Sequence, residues 1–132
     1  MIFNCGDSFK QIFTVNKDVY SGFLSVFKDT NALHTNEEFA IEKGFRGRVM
    51  HGNILNGFLS YFIGECLPNK NVIIHTQSIQ YRKPVYLDDE LSFEATVTEI
   101  FESVNSLIFK FTFKNAELKT VAKGQIQIGI II

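Results

Sequence analysis

The chain has 132 residues, a formal net charge of −1 and 45% hydrophobic residues. This length fits one domain, and a domain of this size buries enough surface to fold without a metal or a disulfide. Dispersed charge of both signs argues against a nucleic-acid or an anionic membrane partner. We therefore expect one soluble domain over residues 1–132, with no metal, no nucleic-acid partner and no membrane partner.

The cysteines and the N-terminus support a cytoplasmic location. Cys5 and Cys66 match no zinc-ligand spacing, so we expect free, structural thiols. The first ten residues lack the basic segment and apolar core of a signal peptide. No apolar run approaches the roughly 20 residues that a membrane span needs.

The first third of the chain predicts a strand followed by helices. Residues 7–15 are predicted to form a strand with Phe9 and either Ile12 or Phe13 facing inward. Residues 17–27 carry apolar side chains at helical spacing. The segment Thr35-Asn36-Glu37-Glu38 has the form of a capping box in which Thr35 is the N-cap of a short helix. Gly44 would end that helix.

A longer helix is predicted from about Gly52 to Cys66. Its apolar residues recur at the 3,4 spacing of one helix face: Ile54, Leu55, Phe58, Leu59, Phe62 and Ile63. Gly57 and Gly64 each cost about 1 kcal/mol against alanine in a helix. That cost predicts a neighbouring element that approaches the helix backbone closely.

After residue 71 the apolar period changes from 3.6 to 2, which predicts strands. Alternation marks residues 72–81, 91–98, 107–114 and 126–130. The short turns between them favour antiparallel neighbours. The fold class is therefore α+β, with a curved antiparallel sheet packed against one long helix.

Asp29 and His34 offer a carboxylate and an imidazole in a predicted turn. Such a pair can hold one water and move protons to and from it. The spacing also fits a simpler interpretation, in which Asp29 caps a turn through the backbone and His34 is a packed or surface residue. The spacing alone does not decide between them.

His51-Gly52 opens the long helix. A glycine there lets a ligand approach free N–H groups at the positive end of the helix dipole, which suits a developing oxyanion. An ordinary helix start with an adjacent histidine is the alternative.

Four basic residues could meet the phosphates of an extended cofactor or be solvated: Arg46, Arg48, Arg82 and Lys83.

The order of these segments resembles the MaoC-like, R-specific enoyl-CoA hydratase family of hot-dog folds. That family carries D-x-N-P-x-H, then G-F-x-x-x-[IV]-x-H-G, then Q-S-x-x-F-x-x-P-V and a G-D turn. The matching segments of this chain are Asp29–His34, Gly44-Phe45, His51-Gly52, Gln77-Ser78 and Lys83-Pro84-Val85.

The resemblance implies a function. Asp29 and His34 would be the catalytic pair that adds water to a trans-2-enoyl thioester, or removes it from a (3R)-hydroxyacyl thioester. The Gly52 N–H would receive the thioester oxygen. Substrate-binding positions would be Asn31, His51, Asn53, Gln77 and Ser78. The resemblance further implies a hot-dog domain whose extra short helix carries the pair, a homodimer, an acyl-CoA or acyl-carrier-protein thioester as partner, and no cofactor.

The chain departs from the family pattern at four places. Lys28 stands where glycine is usual, Ala32 where proline is usual, and Asp88-Asp89 where Gly-Asp is usual. Asn53 adds a polar group where an apolar residue is common. The first two departures change backbone stiffness beside the pair without removing a chemical group.

Three other functions remain open at this stage. A hydroxyacyl-carrier-protein dehydratase differs only in the carrier. An acyl-CoA thioesterase of this fold would place a carboxylate on the central helix, where the chain offers only Glu65. The third is a catalytically silent acyl-binding domain, against which the intact pair of Asp29 and His34 argues.

Overall fold

Five antiparallel strands form one sheet, and four helices lie between its first two strands in sequence. The computed structural model describes residues 1–132. The strands are β1 (Ser8–Thr14), β2 (Val72–Tyr81), β3 (Glu90–Phe101), β4 (Ser106–Lys114) and β5 (Thr120–Ile130), in the spatial order β1-β3-β4-β5-β2. The helices are α1 (Lys17–Phe27), α2 (Ala32–Thr35), α3 (Glu37–Glu42) and α4 (Asn53–Tyr61). The predicted α+β arrangement is confirmed.

The core lies between α4 and the alternating inner positions of the sheet. Phe62, just after α4, has its ring centroid 4.9 Å from that of Phe93 and 5.6 Å from that of Phe109. All three side chains are buried. Burial of each phenyl ring contributes roughly 1.5–3 kcal/mol, so the aromatic cluster fixes α4 against β3 and β4.

The long helix ends in a π turn over Phe62–Cys66. The predicted end at Cys66 is therefore confirmed, although the last turn is not α-helical. The predicted close approach at Gly57 and Gly64 is wrong, because a Cβ at either glycine would meet nothing within 4 Å. Both glycines lie on the exposed side of the helix.

The predicted cap of the short helix is displaced by one residue. Asn36, not Thr35, is the N-cap of α3, and its side chain accepts from the Phe39 N–H at 3.0 Å. The Thr35 hydroxyl instead donates to the carbonyl oxygens of Thr30 and Asn31. Thr35 bonds to these preceding residues because it is the last residue of α2. Local periodicity does not reveal this helical turn.

Three departures from the family pattern fall where the backbone has special requirements. Lys28 has φ 58° at the end of α1, and Asp88 has φ 69°. Both lie in the left-handed region that favours glycine. Ala32 is the first residue of α2, the position where proline is favoured. At these three positions the chain therefore uses residues that suit the local backbone less well than glycine or proline would.

No helix of the structure combines the length and the hydropathy needed to cross a membrane.

Cys5 and Cys66 are both free thiols, as expected. Burial raises the pKa of the Cys66 thiol, and the neighbouring carboxylate of Glu65 raises it further.

Lys28→Gly should stabilise the protein. A non-glycine residue in the left-handed region costs roughly 1–2 kcal/mol, so we expect the free energy of unfolding in urea to rise by about 1 kcal/mol. Lys28→Ala is the control, because it removes the charge and keeps the strained conformation. An equal gain from both variants would show that charge, not backbone strain, is relieved.

Candidate active site

Asp29 lies in the turn between α1 and α2, and its carboxylate has two roles. The Asp29 Oδ1 atom accepts from the Asn31 N–H at 3.2 Å, which is the turn-capping role. Asn31 in turn caps α2, accepting from the Leu33 N–H at 3.0 Å. The other oxygen, Oδ2, faces His34. The turn-capping contact therefore leaves Oδ2 free to face His34, and Asn31 shapes the turn.

His34 on α2 is held by backbone groups on both sides. Its Nδ1 lies 2.7 Å from the Val49 carbonyl oxygen, which can only accept, so Nδ1 carries the hydrogen. Nε2 of the neutral ring then bears a lone pair, and it lies 3.9 Å from Asp29 Oδ2. The Tyr20 hydroxyl donates to the His34 carbonyl oxygen at 2.6 Å. The ring therefore directs its bare nitrogen at the carboxylate.

His51 is buried and bonds to the turn that carries Asp29. Its Nε2 donates to the Asp29 carbonyl oxygen at 2.8 Å, and its ring centroid lies 4.1 Å from that of His34. Only 3% of the residue is exposed, and its Nδ1 has no hydrogen-bond partner. His51 thus holds the turn that carries Asp29, and it also lines the cavity that Asp29 and His34 line, so its expected substrate contact stays a prediction.

Gly52 lines a cavity of about 540 Å³ together with Asp29, His34 and Asn53. No side chain caps the start of α4, and the N–H groups of Gly52 and Asn53 donate to no group of the protein. The ring of Tyr81 packs against the glycine, since a Cβ at Gly52 would lie 2.9 Å from Tyr81 Cε1. A free N–H and an acid–base pair thus share one cavity.

Gln77 and Ser78, the two residues of β2 that were expected to bind substrate, lie on opposite faces of the sheet. Gln77 points towards α4, where its side-chain Nε2 donates to Asn56 Oδ1. Ser78 lies on the other face, in a shallow depression with Lys110 and Lys123. The structure therefore does not bring Ser78 to the cavity of Asp29 and His34, because alternate strand residues point in opposite directions.

A second, apolar groove of about 810 Å³ runs between α1 and α4. Asp29 and Asn53 line both this groove and the first cavity. Gly22 of α1 and Gly57 of α4 both line it, and a Cβ at either would meet nothing within 4 Å. The missing side chains leave room for an apolar ligand beside the carboxylate.

The four basic residues separate into two pairs. Arg46 lies 3.5 Å from Asp89, and Arg48 lies 3.5 Å from Glu37. Arg82 and Lys83 form no ion pair, and both line the first cavity. The mouth of this cavity therefore carries two cations without acidic partners.

Donor atoms of Asp29, His34 and His51 lie within 4.8 Å of one another. Their existing bonds do not favour a metal site, because His34 Nδ1 and His51 Nε2 already donate to carbonyl oxygens and His51 Nδ1 is enclosed. Two free donors remain, the Asp29 carboxylate and His34 Nε2. A zinc site takes at least three protein ligands, so the arrangement suits a bound water better.

Sequence reasoning missed Tyr81 and Asn56. Tyr81 packs on Gly52, and Asn56 bonds to both Tyr81 and Gln77. A signal for Tyr81 was present, since it occupies the phenylalanine position of Q-S-x-x-F-x-x-P-V. Nothing local marks Asn56, because two of its three partners, Tyr81 and Gln77, lie on a distant strand.

Comparisons with known proteins agree with this geometry. Residues 6–118 match the family model described as MaoC like domain. An (R)-specific enoyl-CoA hydratase of Rhodospirillum rubrum is 32% identical over 108 residues, covering 82% of this chain and 74% of the relative. A mitochondrial 3-hydroxyacyl-[acyl-carrier-protein] dehydratase of Arabidopsis thaliana is 28% identical over 123 residues, covering 91% and 73%.

A solved structure supports the fold. The (R)-hydratase from A. caviae superposes with a TM-score of 0.90 at 22% identity, covering 98% of each chain. This likeness confirms the hot-dog arrangement of a sheet around α4. With most of the sequence matched by the family model, the chain belongs to the MaoC-like domain family.

Proposed function

We propose that the protein is a hydro-lyase that adds water to a trans-2-enoyl thioester, giving the (3R)-hydroxyacyl thioester, and that catalyses the reverse dehydration. One observation carries the proposal. The bare Nε2 of His34 faces Asp29 Oδ2 at 3.9 Å in the cavity that also holds the unbonded N–H of Gly52. The hydratase and dehydratase names of the relatives support the same chemistry.

Asp29 and His34 would hold the attacking water. A water between them donates one hydrogen to His34 Nε2 and one to Asp29 Oδ2, because both atoms are acceptors. Its oxygen lone pair is thereby directed at C3 of the enoyl group. Positioning of this kind lowers the barrier by pre-arranging the reacting groups.

Charge moves to the thioester oxygen as the C3–O bond forms. The π electrons of the C2–C3 bond shift towards the carbonyl oxygen, and the Gly52 N–H at the start of α4 stabilises the enolate. The pair takes one proton from the water and returns a proton to C2 on the same face. Both side chains regain their starting state, and one water has been added.

The carrier is either coenzyme A or an acyl-carrier protein. Both carry a phosphate-containing arm, and Arg82 and Lys83 at the mouth of the first cavity suit its charge. The acyl chain would lie in the groove between α1 and α4. Thioester hydrolysis receives no support, because Glu65 pairs with Lys70 at 3.1 Å and lines neither cavity.

We further propose a homodimer joined along β2. This strand is at the edge of the sheet, and Ile73 and Ile74 on it are 52% and 37% exposed. An exposed apolar edge strand is a template for pairing with another chain.

A cytoplasmic location, one domain over residues 1–132, and the absence of a cofactor or metal stay predictions.

Purified protein should hydrate crotonyl-CoA, measured by loss of the enoyl absorbance. Asp29→Asn and His34→Ala should each lower kcat by about 10³-fold, since a positioned acid or base contributes about 10²–10⁴-fold. The matched control is Asp18→Asn, which alters an exposed carboxylate on the first turn of α1. Near wild-type rates in both site variants would refute the proposal.

Gly57→Leu should shorten the acyl chain that the protein accepts. The new side chain would fill the groove and displace several methylenes, each worth about 0.8 kcal/mol of burial. We expect the ratio of kcat/KM for decenoyl-CoA over crotonyl-CoA to fall at least about tenfold. Gly64→Leu is the control, since Gly64 is equally open but lies outside the groove. An unchanged ratio in Gly57→Leu would place the acyl chain elsewhere.

Sedimentation should report twice the chain mass. Ile73→Lys should shift the equilibrium towards the monomer, because it places a charge on the exposed edge. Thr14→Lys is the control on the opposite edge strand, β1. A wild-type protein that sediments only as a monomer would contradict the dimer.

A further inference from the structure

A polar network joins the end of β2 to the first turns of α4, beside Gly52. Asn56 is at its centre. Asn56 Nδ2 lies 2.8 Å from Asn53 Oδ1 and 3.2 Å from the Tyr81 hydroxyl, and Asn56 Oδ1 accepts from Gln77. The mechanism described above uses none of these contacts.

The direction of each hydrogen bond follows from the donor inventory. An amide nitrogen only donates, so the two hydrogens of Asn56 Nδ2 go to Asn53 and to the Tyr81 oxygen. The Tyr81 oxygen therefore accepts from Asn56 and keeps its own hydrogen. That hydrogen is donated to no group of the protein. The network thus leaves Tyr81 as a donor without an acceptor.

The hydroxyl lies close to the place where the thioester oxygen would bind. Tyr81 Cζ, the carbon that bears the hydroxyl, lies 3.0 Å from the position of a Cβ on Gly52. Tyr81 and Gly52 line the same cavity as Asp29 and His34. A phenol with a free O–H therefore lies beside Gly52 in this cavity, in addition to the free N–H groups of Gly52 and Asn53.

The phenol also stays in its donating form. Burial raises the pKa of Tyr81 above its ordinary value, and the bond from Asn56 offsets only part of that effect. The group is therefore protonated throughout the neutral and mildly alkaline range. Asn56 further withdraws electron density from the oxygen, which strengthens the bond that the hydroxyl donates.

We propose that the Tyr81 hydroxyl is a second hydrogen-bond donor to the thioester oxygen, beside the Gly52 N–H, and that Asn56 is the residue that positions it. The proposal rests on the proposed hydratase function. Tyr81 touches the reacting thioester and is a catalytic residue, whereas Asn56 acts through it. The two donors would approach the oxygen from β2 and from α4.

Tyr81→Phe tests the proposal, because it removes the hydroxyl and keeps the ring that packs on Gly52. Loss of one oxyanion donor costs about 10²–10³-fold in kcat, so we expect hydration of crotonyl-CoA to slow by about 10²-fold. KM should stay within about twofold, because the bond strengthens mainly in the transition state. Tyr61→Phe is the matched control, since the Tyr61 hydroxyl is exposed and lines neither cavity.

A coupling measurement tests the role of Asn56. Asn56→Leu should slow hydration because the hydroxyl loses its fixed direction. Adding Asn56→Leu to Tyr81→Phe should slow it no further, because the hydroxyl that Asn56 positions is already absent. Fully multiplicative losses would show that Asn56 acts independently of Tyr81.

A spectroscopic readout separates carbonyl binding from general structure. Hexadienoyl-CoA bound to the Asp29→Asn variant should show a red-shifted absorbance, because hydrogen bonds polarise the conjugated thioester. The double variant with Tyr81→Phe should show a smaller shift. An equal shift in both, or wild-type kcat in Tyr81→Phe, would overturn the proposal. A wild-type protein that hydrates no enoyl thioester would instead refute the proposed function, and the spectral shift would still test the contact.

Discussion

The hydrogen bond from His51 Nε2 to the Asp29 carbonyl oxygen, 2.8 Å long, joins the catalytic turn to the residue just before Gly52. It is partly buried, so loss of the imidazole would leave the carbonyl without this partner, a cost of up to about 1–3 kcal/mol. The bond fixes the distance between the carboxylate and the start of α4. The Asp29–His34 pair and the free N–H of Gly52 are therefore held together by one contact.

His34 depends on a similar constraint. Its Nδ1 donates to the Val49 carbonyl oxygen, and its ring lies against that of His51. The two histidines donate to backbone oxygens through different ring nitrogens, Nδ1 in His34 and Nε2 in His51. The chemistry of the site thus relies on backbone acceptors, which hold one tautomer of each ring and leave Nε2 of His34 for water.

The turn that carries Asp29 keeps its geometry with unusual residues. Lys28 ends α1 in the left-handed region, and Ala32 begins α2 where proline would be pre-organised. Neither change removes a group that touches the cavity. The strain is tolerated because Asn31, Tyr20 and His51 hold the turn from three sides. Local preference is overridden by bonds that form only in the folded chain.

Much of the fold and the centre of the site could be predicted from the sequence. Hydrophobic period identified α1, α4 and all five strands, and the order of short motifs identified Asp29, His34 and Gly52. The helices, the strands and the motifs are local features, because each depends on a few neighbouring residues. The cap of α3 was misplaced because the helical turn α2 before it is stabilised by its own side chains, not by an apolar period.

Only the tertiary structure decided which side chains surround that centre. Tyr81 reaches Gly52, and Asn56 reaches Gln77, because the register of β2 against β5 sets the position of β2 beside α4. The same register turns Ser78 away from the site. The sequence by itself determined the elements and pointed to the groups proposed to react, through local period and motif. Packing determined the positioning groups, because their contacts join segments that are distant along the chain.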